Sequence, residues 1–262
     1  MYRITPLKMA EISVPIGVVQ MMGDMRALVT GPVFVWVIDG GDEKIVVDAG
    51  VEEAKNGLVH GFPGKGGGEK SLREALERAN MKPEDVDKLI ITHLHFDHVA
   101  NAKLFHNARI YVQKREWESA LNPPMHYRQT YDENMILPLE EMDLCLVCGD
   151  AEVAEGIRVV LLPGHTKGLQ GVSVRTEKGD YLIAGDHFYT YFNFFPPKQQ
   201  VEFTDAAGNK VQFPPATTPF VPPGLHVDLS EWYESCFKAL STVRKQNILP
   251  GHDPSLDGRS FP

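Results

Sequence analysis

The chain has 262 residues, 43% of them hydrophobic and 23% charged, an ordinary globular composition long enough to bury a core without staples. A net charge of −9 speaks against a nucleic-acid partner, which calls for a basic face. Three cysteines are an odd number for a secreted disulfide framework, residues 1–8 hold no apolar signal core, and no apolar stretch approaches the length of a membrane span, so a cytoplasmic protein without a membrane partner is expected.

In chain order, residues 12–28 are apolar and rich in methionine, with Met21, Met22 and Met25 around Gly23. They fit neither strand alternation nor a clean helix, so a loop near a functional site is expected, its methionines serving as substrate wall, subunit contact in a possible homodimer, or packing. Residues 33–38 and 44–47 are expected to pair as a hairpin turned by Asp39-Gly40-Gly41-Asp42 and closed by Asp48-Ala49-Gly50. The glycine-rich residues 57–68 suggest a flexible surface loop. Residues 71–80 suggest an amphipathic helix, with Leu72, Ala75, Leu76 and Ala79 on one face.

The apolar run Leu89-Ile90-Ile91 then delivers Thr92-His93-Leu94-His95-Phe96-Asp97-His98. If the backbone stays extended through Asp97, a period of two puts His93, His95 and Asp97 on one side while His98 turns off into the next helix. Imidazole and carboxylate donors without thiolates suit zinc, and also iron or manganese, in a catalytic rather than a structural site.

Further on, residues 99–105 and 114–121 are expected as helices around a strand at 108–112. Residues 122–139, holding two prolines, His126, Tyr127 and Tyr131, break the pattern and are expected to cover the site. Strands are expected near 143–147, 157–162, 172–176 and 181–184, with Cys145 and Cys148 as buried small residues. Three apolar runs end in a glycine and a metal-ligand type: Gly164-His165, Gly185-Asp186 and Gly251-His252. Residues 188–220 are crowded with phenylalanine and proline, Phe203 and Phe213 among them. Residues 201–204 and 210–213 suggest a small hairpin joined through Asp205-Ala206-Ala207-Gly208-Asn209. Asp228 and Glu231 are spaced as a helix start. The buried face of that helix is expected to be Trp232, Cys236, Phe237, Leu240 and Val243, and its end near Asn247.

Taken in order, His93-x-His95-x-Asp97-His98, His165, Asp186 and His252 resemble the ligand set of the metallo-β-lactamase superfamily, over about residues 33–253. The resemblance implies an α/β fold, a four-layer αβ/βα sandwich in one domain over 1–262. Its halves would be about 30–140 and 141–262, with an insertion at about 194–224. It also implies two divalent ions, zinc above all: His93, His95 and His165 would hold one, Asp97, His98 and His252 the other, and Asp186 would bridge. Asp48 would then orient a ligand histidine from behind.

Metal binding lowers the pKa of water to about 7, so hydrolysis is the default chemistry. Asp186-His187-Phe188-Tyr189 is similar to the D-x-x-Y of the N-acyl homoserine lactonase branch. This implies a lactone or related ester as substrate, Tyr189 and Asp97 as catalytic groups, and Met22, Phe188, Phe192 and Phe194 as substrate contacts. A glyoxalase II-like thioesterase, or another ester, phosphodiester or β-lactam hydrolase, is the alternative. A diiron oxidoreductase would carry a carboxylate where His95 stands.

Overall fold

The apolar runs without polar alternation are strands covered on both faces. The computed structural model describes residues 1–205, 208–213 and 215–262. Ala206 and Ala207 of the expected turn, Pro214, and the side chains of Phe203 and Phe213 lie outside the described set. The first sheet takes β1 (Arg3–Pro15), β2 (Leu28–Asp39), β3 (Ile45–Val47), β4 (Leu58–Val59), β5 (Phe62–Gly66), β6 (Lys88–Ile90), β7 (Arg109–Gln113) and β8 (Leu144–Val147), in the order β4-β5-β1-β2-β3-β6-β7-β8. The second takes β9 (Ala151–Ala154), β10 (Ile157–Leu161), β11 (Gln170–Thr176) and β12 (Gly179–Ile183). After a separate hairpin, β13 (Val201–Thr204) with β14 (Lys210–Phe213), it adds β15 (Ile248–Leu249) beside β12.

Consecutive residues of a strand point to opposite faces, and the core is divided accordingly. In β2, Val33, Val35 and Val37 pack outward against α2 (Gly68–Glu77), while Phe34, Trp36 and Ile38 pack inward on the second sheet. In β12, Ile183 faces the first sheet and Leu182 faces outward with Trp232 and Cys236 of the C-terminal helix. Helix, sheet, sheet and helix make four layers, each strand face having something to bury against. Between the sheets a buried amide pair ties the seam. Gln113 Nε2 donates to Gln170 Oε1 (2.9 Å), and Gln170 Nε2 donates to the carbonyls of Ile91 (2.8 Å) and Tyr111 (3.1 Å).

Several elements differ from expectation. Residues 12–15 are not loop: β1 pairs with β2 from Arg3↔Asp39 to Pro15↔Leu28, followed by one turn of helix, α1 (Ile16–Val19). The glycine-rich segment is the β4–β5 hairpin, whose Gly64 pairs with Ile12 of β1. α2 begins three residues before the expected start. The expected helix at 99–105 is α3 (Phe96–Val99) followed by a 3-10 turn. After α4 (Lys114–Leu121) and the short α5 (Glu133–Ile136), the C-terminal helix is α6 (Leu229–Thr242), capped by the Asp228 carboxylate accepting from Glu231 N at 2.9 Å. Its buried positions are Trp232, Ser235, Cys236 and Ala239, a clean i, i+3, i+4, i+7 stripe. Phe237 falls off that stripe and is 62% exposed. Cys148 is exposed and Cys145 half-buried, because β8 is the edge strand of its sheet. Among the described residues no helix is long and apolar enough to cross a membrane.

Candidate metal centre

β6 stops at Ile90, and Thr92 to His95 continue beyond it along the sheet edge, with His95 at φ −72°, ψ 156°. His93 and His95 therefore point the same way, while Leu94 turns into the core. The extended stretch ends at His95, two residues earlier than expected. α3 starts at Phe96, so Asp97 and His98 occupy its first turn and swing away from the other two histidines. β10, β12 and β15 run the same way and deliver His165, Asp186 and His252 at the same edge. Two of the preceding glycines are required by close approach. At Gly164, φ +133°, a Cβ would lie 2.4 Å from the Trp232 backbone, and at Gly251 it would lie 2.8 Å from Asp186 Oδ1.

The expected residues come together in two groups, His93, His95 and His165 in one and Asp97, His98, Asp186 and His252 in the other, their ligand atoms within 4.8 Å of one another. Asp186 faces both. Its Oδ2 lies 3.8 Å from His93 Nε2 and 3.6 Å from His165 Nε2, and its Oδ1 lies 3.2 Å from His98 Nε2 and 2.9 Å from His252 Nε2. Asp97 Oδ2 lies 3.6 Å from His252 Nε2 and 3.8 Å from His98 Nε2.

The surroundings set the tautomers. Carbonyl oxygens can only accept, so His165 Nδ1, 2.9 Å from Leu225 O, and His252 Nδ1, 2.8 Å from Pro32 O, carry the protons and turn Nε2 lone pairs inward. Asp48 Oδ2 does the same for His98 Nδ1 at 2.8 Å and also accepts from Thr92 Oγ1 at 2.9 Å. That hydroxyl, its proton spent on Asp48, accepts from His93 Nδ1 at 3.1 Å. His95 instead turns Nδ1 inward, 3.1 Å from His165 Nε2. Asp48 sits at φ +62°, a strained conformation for a non-glycine residue that the Asp48–Thr92–His98 network holds in place.

Buried polar atoms without a hydrogen bond are costly and call for a partner. Here they include Nε2 of His93, His98 and His252 and Oδ1 of Asp186, all of them atoms of the two groups. Burial pushes the pKa of His93 and His95 well below the imidazole range and lowers that of His165, which favours the neutral ligand form. For His98 and His252 burial is outweighed by carboxylates, Asp186 foremost, and their pKa values rise. Burial also opposes the charge of Asp186, but His252 and His98 outweigh it and hold its pKa well below the carboxylate range. Five imidazoles and two carboxylates with inward lone pairs and no thiolate fit a pair of divalent cations.

The cluster forms the floor of a cavity of about 870 Å³. His95, Asp97, His252 and Tyr189 face it from below. Ile12, Val14, Val18 and Leu28 make one wall, and His60 and Phe62 of the β4–β5 hairpin another. Val201, Thr204 and Asp205 of the insertion and Phe192 complete it. Tyr189 stacks against His252, ring centroids 5.5 Å apart, and stands edge-on to His165 at 5.6 Å.

The metallo-beta-lactamase superfamily model matches residues 28–252, from the first residue of β2 to His252 of the second group. The chain belongs to the metallo-beta-lactamase superfamily. Over 173 residues it is 33% identical to an N-acyl homoserine lactonase of Bacillus cereus, the aligned part being 62% of this chain and 66% of that protein. It is 32% identical, with the same coverage, to N-acyl homoserine lactonase AiiA of Bacillus thuringiensis subsp. kurstaki. It thus spans just under two thirds of the length of these relatives. Among solved structures, it superposes on a quorum-quenching N-acyl homoserine lactone lactonase with a TM-score of 0.74 and 26% identity, covering 98% of this chain and 94% of that one. An N-acyl homoserine lactone hydrolase solved with N-hexanoyl-L-homoserine at its catalytic metal centre gives 0.72 and 26%, covering 97% and 93%.

Within this metallo-beta-lactamase fold, three expected substrate contacts lie elsewhere. Phe188 and Phe194 are fully buried against each other, 4.6 Å between centroids, and pack under α6 with Trp232. The reason is alternation: Phe188 is extended (φ −129°, ψ 116°), so its ring goes to the core and that of Tyr189 to His165 and His252. Met22, at φ +65° on a turn, is 94% exposed and does not line the cavity. Sequence reasoning missed Thr92, His60 and Phe62. The first carries a signal, being a hydroxyl directly before the ligand run, whereas nothing local marks the other two.

Proposed function

We propose that this protein is a dinuclear metal-dependent hydrolase that opens a lactone ring, an N-acyl homoserine lactone or a related compound, with zinc as the metal and iron or manganese also accommodated. The observation that carries this reading is Tyr189, a phenol buried beside both ligand groups at the floor of a mainly apolar cavity. The ions, when bound, supply a water activated near neutral pH and polarisation of the substrate carbonyl.

The chain's own residues supply the rest. Burial, then the Asp186 and Asp97 carboxylates, hold the Tyr189 pKa well above the ordinary phenol value. It is therefore a hydrogen-bond donor at neutral pH, aimed at the oxyanion that develops on the carbonyl oxygen as water adds to the carbon. Asp97 is the ligand carboxylate that also faces the cavity. It takes the proton of the attacking water and returns it to the ring oxygen as the carbon–oxygen bond breaks, leaving an open hydroxy acid. The apolar walls take the acyl group and exclude water from it.

The test is a hydrolysis panel of acyl lactones, thioesters, phosphodiesters and β-lactams with the metal-loaded protein. Lactones are expected to turn over with the highest kcat/KM. Thioesters outrunning them would move the assignment to the glyoxalase II type, and an absence of lactone turnover would end it.

A further inference from the structure

α4 carries a glutamate where its apolar face should be. Glu116 lies in the first turn, on the buried face with Trp117, Ser119 and Ala120, and is fully buried. Burying a carboxylate costs several kcal/mol unless donors replace its water. Four do. One oxygen, Oε1, accepts from Leu94 N at 3.0 Å and from the Tyr131 hydroxyl at 3.2 Å. The other, Oε2, accepts from Thr166 Oγ1 at 2.6 Å and from Gly168 N at 3.1 Å.

These donors are not scattered. Leu94 stands between His93 and His95, Thr166 follows His165, and the Tyr131 ring stands edge-on to the His95 ring at 4.9 Å. One carboxylate therefore clamps both backbone segments that carry the first group of residues, and none of its four hydrogen bonds goes to a residue of the second. Gly168 allows the approach, since a Cβ there would lie 2.2 Å from Glu116 N. Burial pushes the Glu116 pKa up against the pull of the four donors. Each oxygen nevertheless faces a backbone N–H that can only donate, Leu94 N on Oε1 and Gly168 N on Oε2, so both oxygens must act as acceptors.

We infer that Glu116 is a positioning residue for the first metal position, acting through Leu94, Tyr131, Thr166 and Gly168 on the spacing of His93, His95 and His165. The inference rests on the reading of the site as two metal positions. Glu116→Gln separates it from a general packing role. Whichever way the amide turns, its NH2 faces Leu94 N–H or Gly168 N–H, and a backbone N–H cannot rotate away.

The experiment is zinc content by elemental analysis after dialysis against graded chelator, with melting temperature of the metal-free protein alongside. Glu116→Gln is expected to lose one ion per chain at roughly 10- to 100-fold lower chelator strength than the wild type, as losses behind a ligand do, while the second ion stays. Two ions held at wild-type strength would overturn the inference. So would loss of both ions together with a lowered melting temperature of the metal-free protein, which marks a purely structural role. Should Glu116→Gln not fold, Thr166→Val and Tyr131→Phe carry the same test: a selectively weakened first ion supports the clamp and unchanged retention rejects it. A wild-type protein that never takes two ions would instead defeat the dinuclear reading itself.

Discussion

The two metal positions are set in different surroundings. The first is enclosed: His93 and His165 are fully buried, only His95 reaches the cavity, and the segments behind them are held by Thr92, Leu225 O and the Glu116 carboxylate. The second is open. Asp97 and His252 both face the cavity, and their group is held from behind by Asp48 and Pro32 O. An enclosed position suits an anchor that keeps its ion, and an open one suits contact with substrate. Asp186, with one oxygen toward each group, keeps the two in fixed relation.

The largest expected effect that bears on this contrast is metal removal. A ligand present at 1,000 times its Kd adds about 4.1 kcal/mol, so stripping the centre should lower Tm on the order of 10 °C for a chain of this length. Thermal denaturation with and without chelator measures it, and a chelator titration should release the ion of the open position first. Equal melting curves would mean that the cluster is not a metal centre, and release of both ions in one step would erase the contrast.

Next comes Tyr189→Phe. A donor that acts on the developing oxyanion is worth up to roughly 10² to 10³ in kcat, with metal content unchanged because the phenol is not a ligand. Steady-state kinetics on the best lactone decides. An unaltered kcat would return Tyr189 to the role of cavity wall.

Asp48→Ala should cost roughly 10- to 100-fold in affinity at the open position, where it orients His98. Thr92 relays Asp48 to His93 as well, so the comparison is sharpened by measuring both ions. A larger loss at the enclosed position would show that the relay, and not the direct contact, is what Asp48 serves.

The smallest effect is expected at the far wall. Phe192 lines the cavity but is 43% exposed. Phe192→Ala should therefore raise KM for long-chain substrates by up to about tenfold, the worth of roughly 50 Å² of apolar contact at about 25 cal/mol/Å². Short-chain substrates should barely respond. A change in kcat with KM constant would place Phe192 nearer the chemistry than the cavity suggests.

The sequence by itself singled out the residues that come together in the two groups, because His93, His165, Asp186 and His252 each stand within a few residues of the end of an apolar strand and Asp97 and His98 follow His93 closely in the chain. The β2–β3 and β13–β14 hairpins and the capped start of α6 were legible for the same local reason. Tertiary structure alone decided the rest. β1 was hidden because a register shift between Lys8 and Ala10 breaks its alternation, and its second partner, β5, lies far along the chain. The β4–β5 hairpin joins the sheet through the pairing of β5 with β1, so its glycines read as loop until that partner is in place. Phe188 and Phe192 are alike in sequence, and only the direction of the chain after Asp186 sends one ring to the core and brings the other to the cavity. Glu116 looks like one more surface charge on a short helix. Its role depends on four donors drawn from three distant segments, and long-range convergence of that kind leaves no trace in local spacing.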